Sequence, residues 1–173
     1  MESVAVRKSE RIFKVKLDED YTYLGRIGSL MLYAYIIDGE ILVRLLEDTD
    51  KKSATCAGLI DLYEDFDGIY SVGIVRVAKQ YQGFDIAPKM YRMVMKQLGI
   101  SISTMNSQSL GGQSIWSRMF RRKDIQMVAY RRGKYRPRRL YPVYFDEENN
   151  RVESHGQSIW RGENEWELVA SIA

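Results

Sequence analysis

Apolar and polar positions alternate over Arg11–Leu17, the spacing of a half-exposed strand. Arg11–Leu17 sets Ile12, Lys14 and Lys16 against Phe13, Val15 and Leu17. Asp18-Glu19-Asp20 interrupts it, and Tyr21–Gly28 reads as a loop or a short helix. Leu30–Ile37 and Glu40–Leu46 flank Asp38-Gly39, the dipeptide favoured where a two-residue turn needs positive φ. After a charged turn at Asp48–Ser53 come a strand at Ala57–Tyr63, a turn at Glu64–Gly68 and a strand at Ile69–Ala78. The pattern predicts an antiparallel meander of hairpins.

The period then changes. Val72–Gly99, VGIVRVAKQYQGFDIAPKMYRMVMKQLG, reads as a buried strand, a glycine-containing loop and an amphipathic helix over Asp85–Leu98. Ile86, Met90, Met93 and Val94 share one face, and Lys89, Arg92 and Lys96 the other. Asp85 suits an N-cap, Pro88 falls in the first turn where proline is tolerated, and Gly99 is the natural stop. Beyond it, Ile100–Met105 predicts a short strand, Asn106–Gly112 a loop, and Gln113–Arg122 a second helix with Ile115, Trp116, Met119 and Phe120 inward. Ile125–Tyr130 and Leu140–Phe145 read as strands, and Glu165–Ile172 as one more in the tail. The pentapeptide GQSIW recurs at Gly112–Trp116 and Gly156–Trp160 without flanking similarity, which is too short for a structural repeat.

Composition narrows the classes. A chain of 173 residues, 45% apolar and 28% charged, is expected to form one domain, with residues 1–10 as an arm and 146–173 as a C-terminal extension. The first twenty residues have no apolar run, so no secretory signal is expected, and the single cysteine fits a reducing cytoplasm. Cys56 is the only cysteine and His155 the only histidine, which excludes an intrachain disulfide and any metal site built on cysteines or histidines. His155 lies in a turn-like Ser-His-Gly setting and reads as an exposed turn residue.

Charge is uneven. Between Trp116 and Tyr141 ten Lys or Arg face one acid, Asp124, a local net of +9 in a chain whose total is +3. Arg131, Arg132, Lys134, Arg136, Arg138 and Arg139 concentrate it, and Tyr130, Tyr135 and Tyr141 are interleaved. Such a run suits an anionic partner, a nucleic acid or an acidic protein surface, and its plain reading is a solvated face.

Val75–Ala87, VRVAKQYQGFDIA, resembles the acyl-coenzyme-A-binding core of the GNAT acetyltransferase superfamily, a strand followed by Q/R-x-x-G-x-G/A and a helix. Gln82 matches the first position and Ala87 the last, while Asp85 stands at the central glycine. The order of predicted elements from Leu30 to Phe145 is also similar, with the family's N-terminal helices reduced. The resemblance implies an α+β fold: a mixed, mostly antiparallel central sheet flanked by helices. It implies acetyl-coenzyme A as cofactor, with Val75 and Val77 pairing with the pantetheine arm. Gln82, Gly83, Phe84, Asp85, Ile86 and Ala87 would cradle the diphosphate at the helix start. It further implies transfer of an acetyl group to an amine.

The departures from the pattern carry their own expectations. As an N-cap, the Asp85 carboxylate would accept the N–H groups a diphosphate needs, and at 4 Å the two charges would repel by on the order of 4 kcal/mol. Pro88 removes one donor. Lys79, Lys89 and Arg92 are candidates to compensate. Where the family often has Asn and, seven residues on, a Tyr that protonates the leaving thiolate, this chain has Ser109 and Trp116. Glu64, Asp65 and Tyr130 are candidates for the proton-removing group, and spacing does not choose among them. Ser107–Ile125, SQSLGGQSIWSRMFRRKDI, resembles divergent GNAT-type proteins of tailed bacteriophages. That second resemblance implies an alternative: a catalytically inactive virion or accessory protein that binds nucleic acid or an acidic protein through its basic segment. A chain of phage type would be virion-associated.

Overall fold

A computed structural model of the chain describes residues 13–15, 20–47, 54–66, 68–104, 109–131, 140–146, 151–154, 157–158 and 166–173. The first strands are β1 (Phe13–Val15), β2 (Thr22–Ile27), β3 (Leu30–Ile37), β4 (Glu40–Leu46), β5 (Ala54–Phe66) and β6 (Ile69–Val77). Helix α1 (Ile86–Leu98), strand β7 (Ser101–Ser103) and helix α2 (Leu110–Phe120) come next. The chain then forms β8 (Ile125–Arg131), β9 (Leu140–Pro142), β10 (Tyr144–Asp146), β11 (Arg151–Ser154), β12 (Gln157–Ser158) and β13 (Trp166–Ile172). The fold is α+β, as expected. One large sheet runs β2-β3-β4-β5-β6-β7-β13-β8-β9, with β1 on β5, and β10-β11-β12 form a small separate sheet. Every described pairing is antiparallel except β6 with β7. Among the described residues no α-helix precedes β6, consistent with the reduced N-terminal helices.

Local chemistry explains most of these elements. Asp38 and Gly39 both take positive φ, 41° and 81°, and close the β3–β4 hairpin. Leu32 and Ala34 on one strand and Val43 and Leu45 on the other, two residues apart, are fully buried. Helix α1 begins after Asp85 and ends at Gly99 in left-handed conformation. Its buried residues include Met90, Tyr91, Val94 and Met95, and Met90 fits over β5 because position 58 is glycine. A Cβ there would stand 3.0 Å from the Met90 sulfur. Trp116 and Met119 of α2 complete the same core, the Trp116 ring 6.0 Å from that of Tyr91.

Five expectations change. Within Tyr21–Gly28, Thr22–Ile27 is a strand, not a loop or helix, because a bulge between Tyr23 and Gly25 puts the inward residues Leu24 and Ile27 three apart. β5 continues through Phe66, with Glu64 and Asp65 inside the strand and the turn shortened to the link before Ile69. Helix α2 starts at Leu110, so Gly111 and Gly112 are helical. The Ser109 hydroxyl accepts from the Gly112 N–H and caps that start. β13 from the tail lies inside the sheet, between β7 and β8, with Leu168 and Ala170 fully buried. Leu140–Phe145 is divided between two sheets, since Val143 separates β9 from β10. No helix among the described residues is long and apolar enough to cross a membrane.

Candidate functional site

β6 keeps β5 on one side along its length, but on the other it pairs with β7 only at Ile69, Tyr70 and Ser71. β7 ends at Ser103, the Ser71 and Ser103 hydroxyls 2.9 Å apart at the last shared level. From there to Val77 the β7 side of β6 has no strand among the described residues. Just past the parting, Val72 pairs with Leu62 and Ile74 with Asp61, so Gly73 is the extra residue of a bulge. Bulges free main-chain groups from the ladder and cluster near active sites. Tyr63 lies against that bulge, where a Cβ on Gly73 would stand 2.3 Å from its ring.

Beside the unpaired half of β6 is a cavity of about 440 Å³. Its walls are the end of β6, the loop into α1, the first turn of α1 and the first three turns of α2. Val75, Val77, Gln82, Gly83, Asp85, Ile86 and Ala87 all line it; Phe84, 66% exposed, does not. A single 3-10 turn over Lys79–Tyr81 delivers the chain from strand to loop, and the Gln82 side chain fixes the loop by donating to the Val77 carbonyl at 3.0 Å. Gly83 takes φ 88°, a conformation that favours glycine.

Asp85 behaves differently from a capping residue. It occupies the N-cap position with φ 61° and ψ 28°, a backbone state glycine also supplies, and its side chain makes no capping bond. Its carboxylate instead accepts from the Arg118 guanidinium of α2 at 2.9 Å. The expected self-capping is thus absent, and among the described residues the amides of Ile86 and Ala87 have no side-chain acceptor. Pro88 does remove the third donor of the turn.

The cations differ from those expected. Lys89 donates to the Phe84 carbonyl at 3.1 Å, and Arg92 pairs with Asp124. Neither lines the cavity, nor does Lys79. Arg76 on β6 and Arg118 on α2 do. Sequence gives Arg118 no distinguishing mark, because its partner is thirty-three residues away. Arg92 holds the Asp124 carboxyl below its usual range.

The proton-transfer candidates fall elsewhere. The Tyr130 hydroxyl donates to Glu167 and lies 3.4 Å from Asp65, so two of the three candidates meet, together with a carboxylate that sequence did not single out. Tyr130 and Glu167 are both fully buried, and none of Glu64, Asp65 and Tyr130 lines the cavity. Trp116 is a core residue, and Ser109 caps α2. Tyr81 is the one phenol lining the cavity among the described residues. It donates to Glu47, which with burial pushes its pKa up to about 12. Of the basic segment, Arg131 ends β8, while Arg132, Lys134, Arg136, Arg138 and Arg139 lie outside the described residues, as does His155. No group of three or more metal-ligating side chains occurs among the described residues.

No family model matches the chain. No curated protein matches it either. Among solved structures, a protein from Bacteroides thetaiotaomicron described as a GNAT-family acetyltransferase is similar at a TM-score of 0.38 and 12% identity. The match covers 79% of this chain and 64% of that one, so it spans less than two thirds of that protein's length. The chain itself runs through antiparallel strands, then a strand, a glycine-containing loop and a helix, a parallel neighbour that parts from the strand, and a second helix before the closing strands.

Proposed function

We propose that the protein binds an acyl-coenzyme A in the cleft beside β6 and transfers the acyl group, acetyl in the simplest case, to an amine. The observation that carries this reading is the meeting, at one cavity, of a strand edge unpaired among the described residues and a helix start that its N-cap side chain does not cap. The volume of about 440 Å³ lies within the roughly 300–1,000 Å³ usual for small-molecule pockets. In this reading the main chain of Val75 and Val77 pairs with the pantetheine arm. The turn at Gln82, Gly83 and Asp85 and the amides of Ile86 and Ala87 receive the diphosphate. Acetyl-coenzyme A supplies the activated thioester carbonyl. The chain orients it, and the bulge at Gly73 offers main-chain groups of the kind that stabilise a developing oxyanion.

One observation favours a second reading, binding without turnover. Trp116 stands in the core where the family often has its acid, and Tyr81, the one phenol lining the cavity among the described residues, is tied to Glu47. A GNAT-fold accessory protein, of a bacteriophage or otherwise, would keep the platform and use its basic segment on an acidic protein or nucleic acid. An acceptor of the same acidic character suits the enzyme reading equally well.

Thermal shift and calorimetry with acetyl-coenzyme A test the binding. A rise in melting temperature is expected, and none at millimolar ligand removes both readings of the cavity. Mass spectrometry of the purified protein, inspected for co-purified coenzyme A, is an independent check. Acetylation of a panel of acidic peptides and polyamines then separates turnover from binding alone. For the basic segment, nucleic-acid affinity should fall steeply with salt, and neutralising Arg136, Arg138 and Arg139 should flatten that slope.

A further inference from the structure

The residue that opens α1 poses a charge problem that a second helix answers. Asp85 holds a left-handed backbone, which aspartate and asparagine tolerate better than most residues. That places a carboxylate in the lining of the cavity, at the positive end of α1, where it would compete with an anionic ligand. The side chain does not cap the helix, however. It turns to Arg118 in the third turn of α2, which lines the same cavity. The two side chains are 42% and 50% exposed, so neither holds the core, and among the described residues each has the other as its charged partner.

We propose that Arg118 is a positioning residue of this anion site. It is a built-in counter-ion that draws the Asp85 carboxylate off the α1 amides and cancels its charge, so that the cavity takes a diphosphate-bearing ligand with an acid in the loop. The proposal rests on the reading of the cavity as a coenzyme A site and adds what makes Asp85 compatible with it. It explains why the position can be aspartate: the backbone demand is for left-handed geometry, and the charge demand is met from α2. It also separates Arg118 from a residue that touches the ligand, because its effect passes through Asp85 and disappears when Asp85 carries no charge.

The test is a double-mutant cycle on the full chain, read as the calorimetric Kd for coenzyme A at one fixed, low ionic strength. Asp85→Asn keeps the left-handed preference and removes the charge. Arg118→Gln should weaken binding on the order of tenfold, the scale of an unscreened carboxylate several ångströms from a diphosphate. Asp85→Asn alone should bind as tightly as the parent or more tightly. The double variant should regain affinity to within about threefold of Asp85→Asn, a strong departure from additivity. Melting temperatures of the unliganded variants should barely move, since exposed pairs contribute little to stability. A double variant as weak as Arg118→Gln alone would mean that Arg118 touches the ligand directly, and the counter-ion role would fall. Parent-like binding by Arg118→Gln would overturn it equally. A parent protein that does not bind coenzyme A overturns the cavity reading itself, whereas parent binding with failed rescue overturns only the role given to Arg118.

Discussion

Replacing Gly73 by alanine tests whether the bulge at the parting of β6 and β7 is shaped by a side chain or by the backbone. An added Cβ would stand 2.3 Å from Cε2 of Tyr63 and 3.0 Å from Cδ2. Ordinary carbon contacts lie near 3.5–4.0 Å, so the ring must move by more than an ångström. Gly73 is not among the residues of positive φ, so alanine suffers no backbone penalty there. The cost therefore lies in the ring. Tyr63 is 42% exposed and can swing outward, which replaces a hard clash by lost packing on the strand. That places the destabilisation at about 1–2 kcal/mol, or a fall of roughly 2–8 °C in Tm for a chain of this size. Urea titration followed by circular dichroism should show a lower midpoint with an unchanged slope. In a Tyr63→Ala background the same change should cost less than about 0.5 kcal/mol, or stabilise slightly by restricting the unfolded chain. An undiminished cost in that background would refute the reasoning and assign the strain to the backbone of the bulge.

The side-chain environments fix three further outcomes. Tyr130→Phe removes the donor to the fully buried Glu167 and should cost about 1–3 kcal/mol in denaturant titration; no loss would mean the carboxylate is satisfied by its other neighbours. The Asp124 carboxyl, held low by Arg92, contributes stability that is present above the unfolded aspartate pKa of about 4 and is lost as pH falls through the folded value. Arg92→Met should therefore cost no more than about 1 kcal/mol at neutral pH, discounted for exposure. It should also flatten the acid limb of the stability profile; an unchanged limb would count against the pair. Tyr81 should ionise near pH 12 in ultraviolet titration, and Glu47→Gln should bring it down toward the ordinary phenol range. A titration that ignores that change would rule out the Glu47 bond as the cause.

Repeating spacing made the β3–β4 hairpin and α1 legible, because each is fixed by residues within a few positions: Asp38-Gly39 for the turn, a four-residue apolar stripe and Gly99 for the helix. The loop residues at the cavity were legible for the same reason, since Val75 to Ala87 are contiguous. Where an irregularity breaks the period, the reading failed. The bulge at Tyr23 hid β2, and two glycines in α2 looked like loop although Ser109 caps them into the helix.

The sequence by itself determined the local states: strands early, one glycine-containing loop at Gln82–Ala87, two helices, and a strongly basic segment after Trp116. Tertiary structure alone decided who meets whom. It set β13 between β7 and β8, brought Tyr130 to Asp65 and Glu167, and parted β7 from β6 at Ser71. It also turned Asp85 away from its own helix toward Arg118. Backbone preference is a property of neighbouring residues, and is written in the order of the chain. Charge and burial depend on distances across the fold, between residues that the sequence holds thirty or more positions apart.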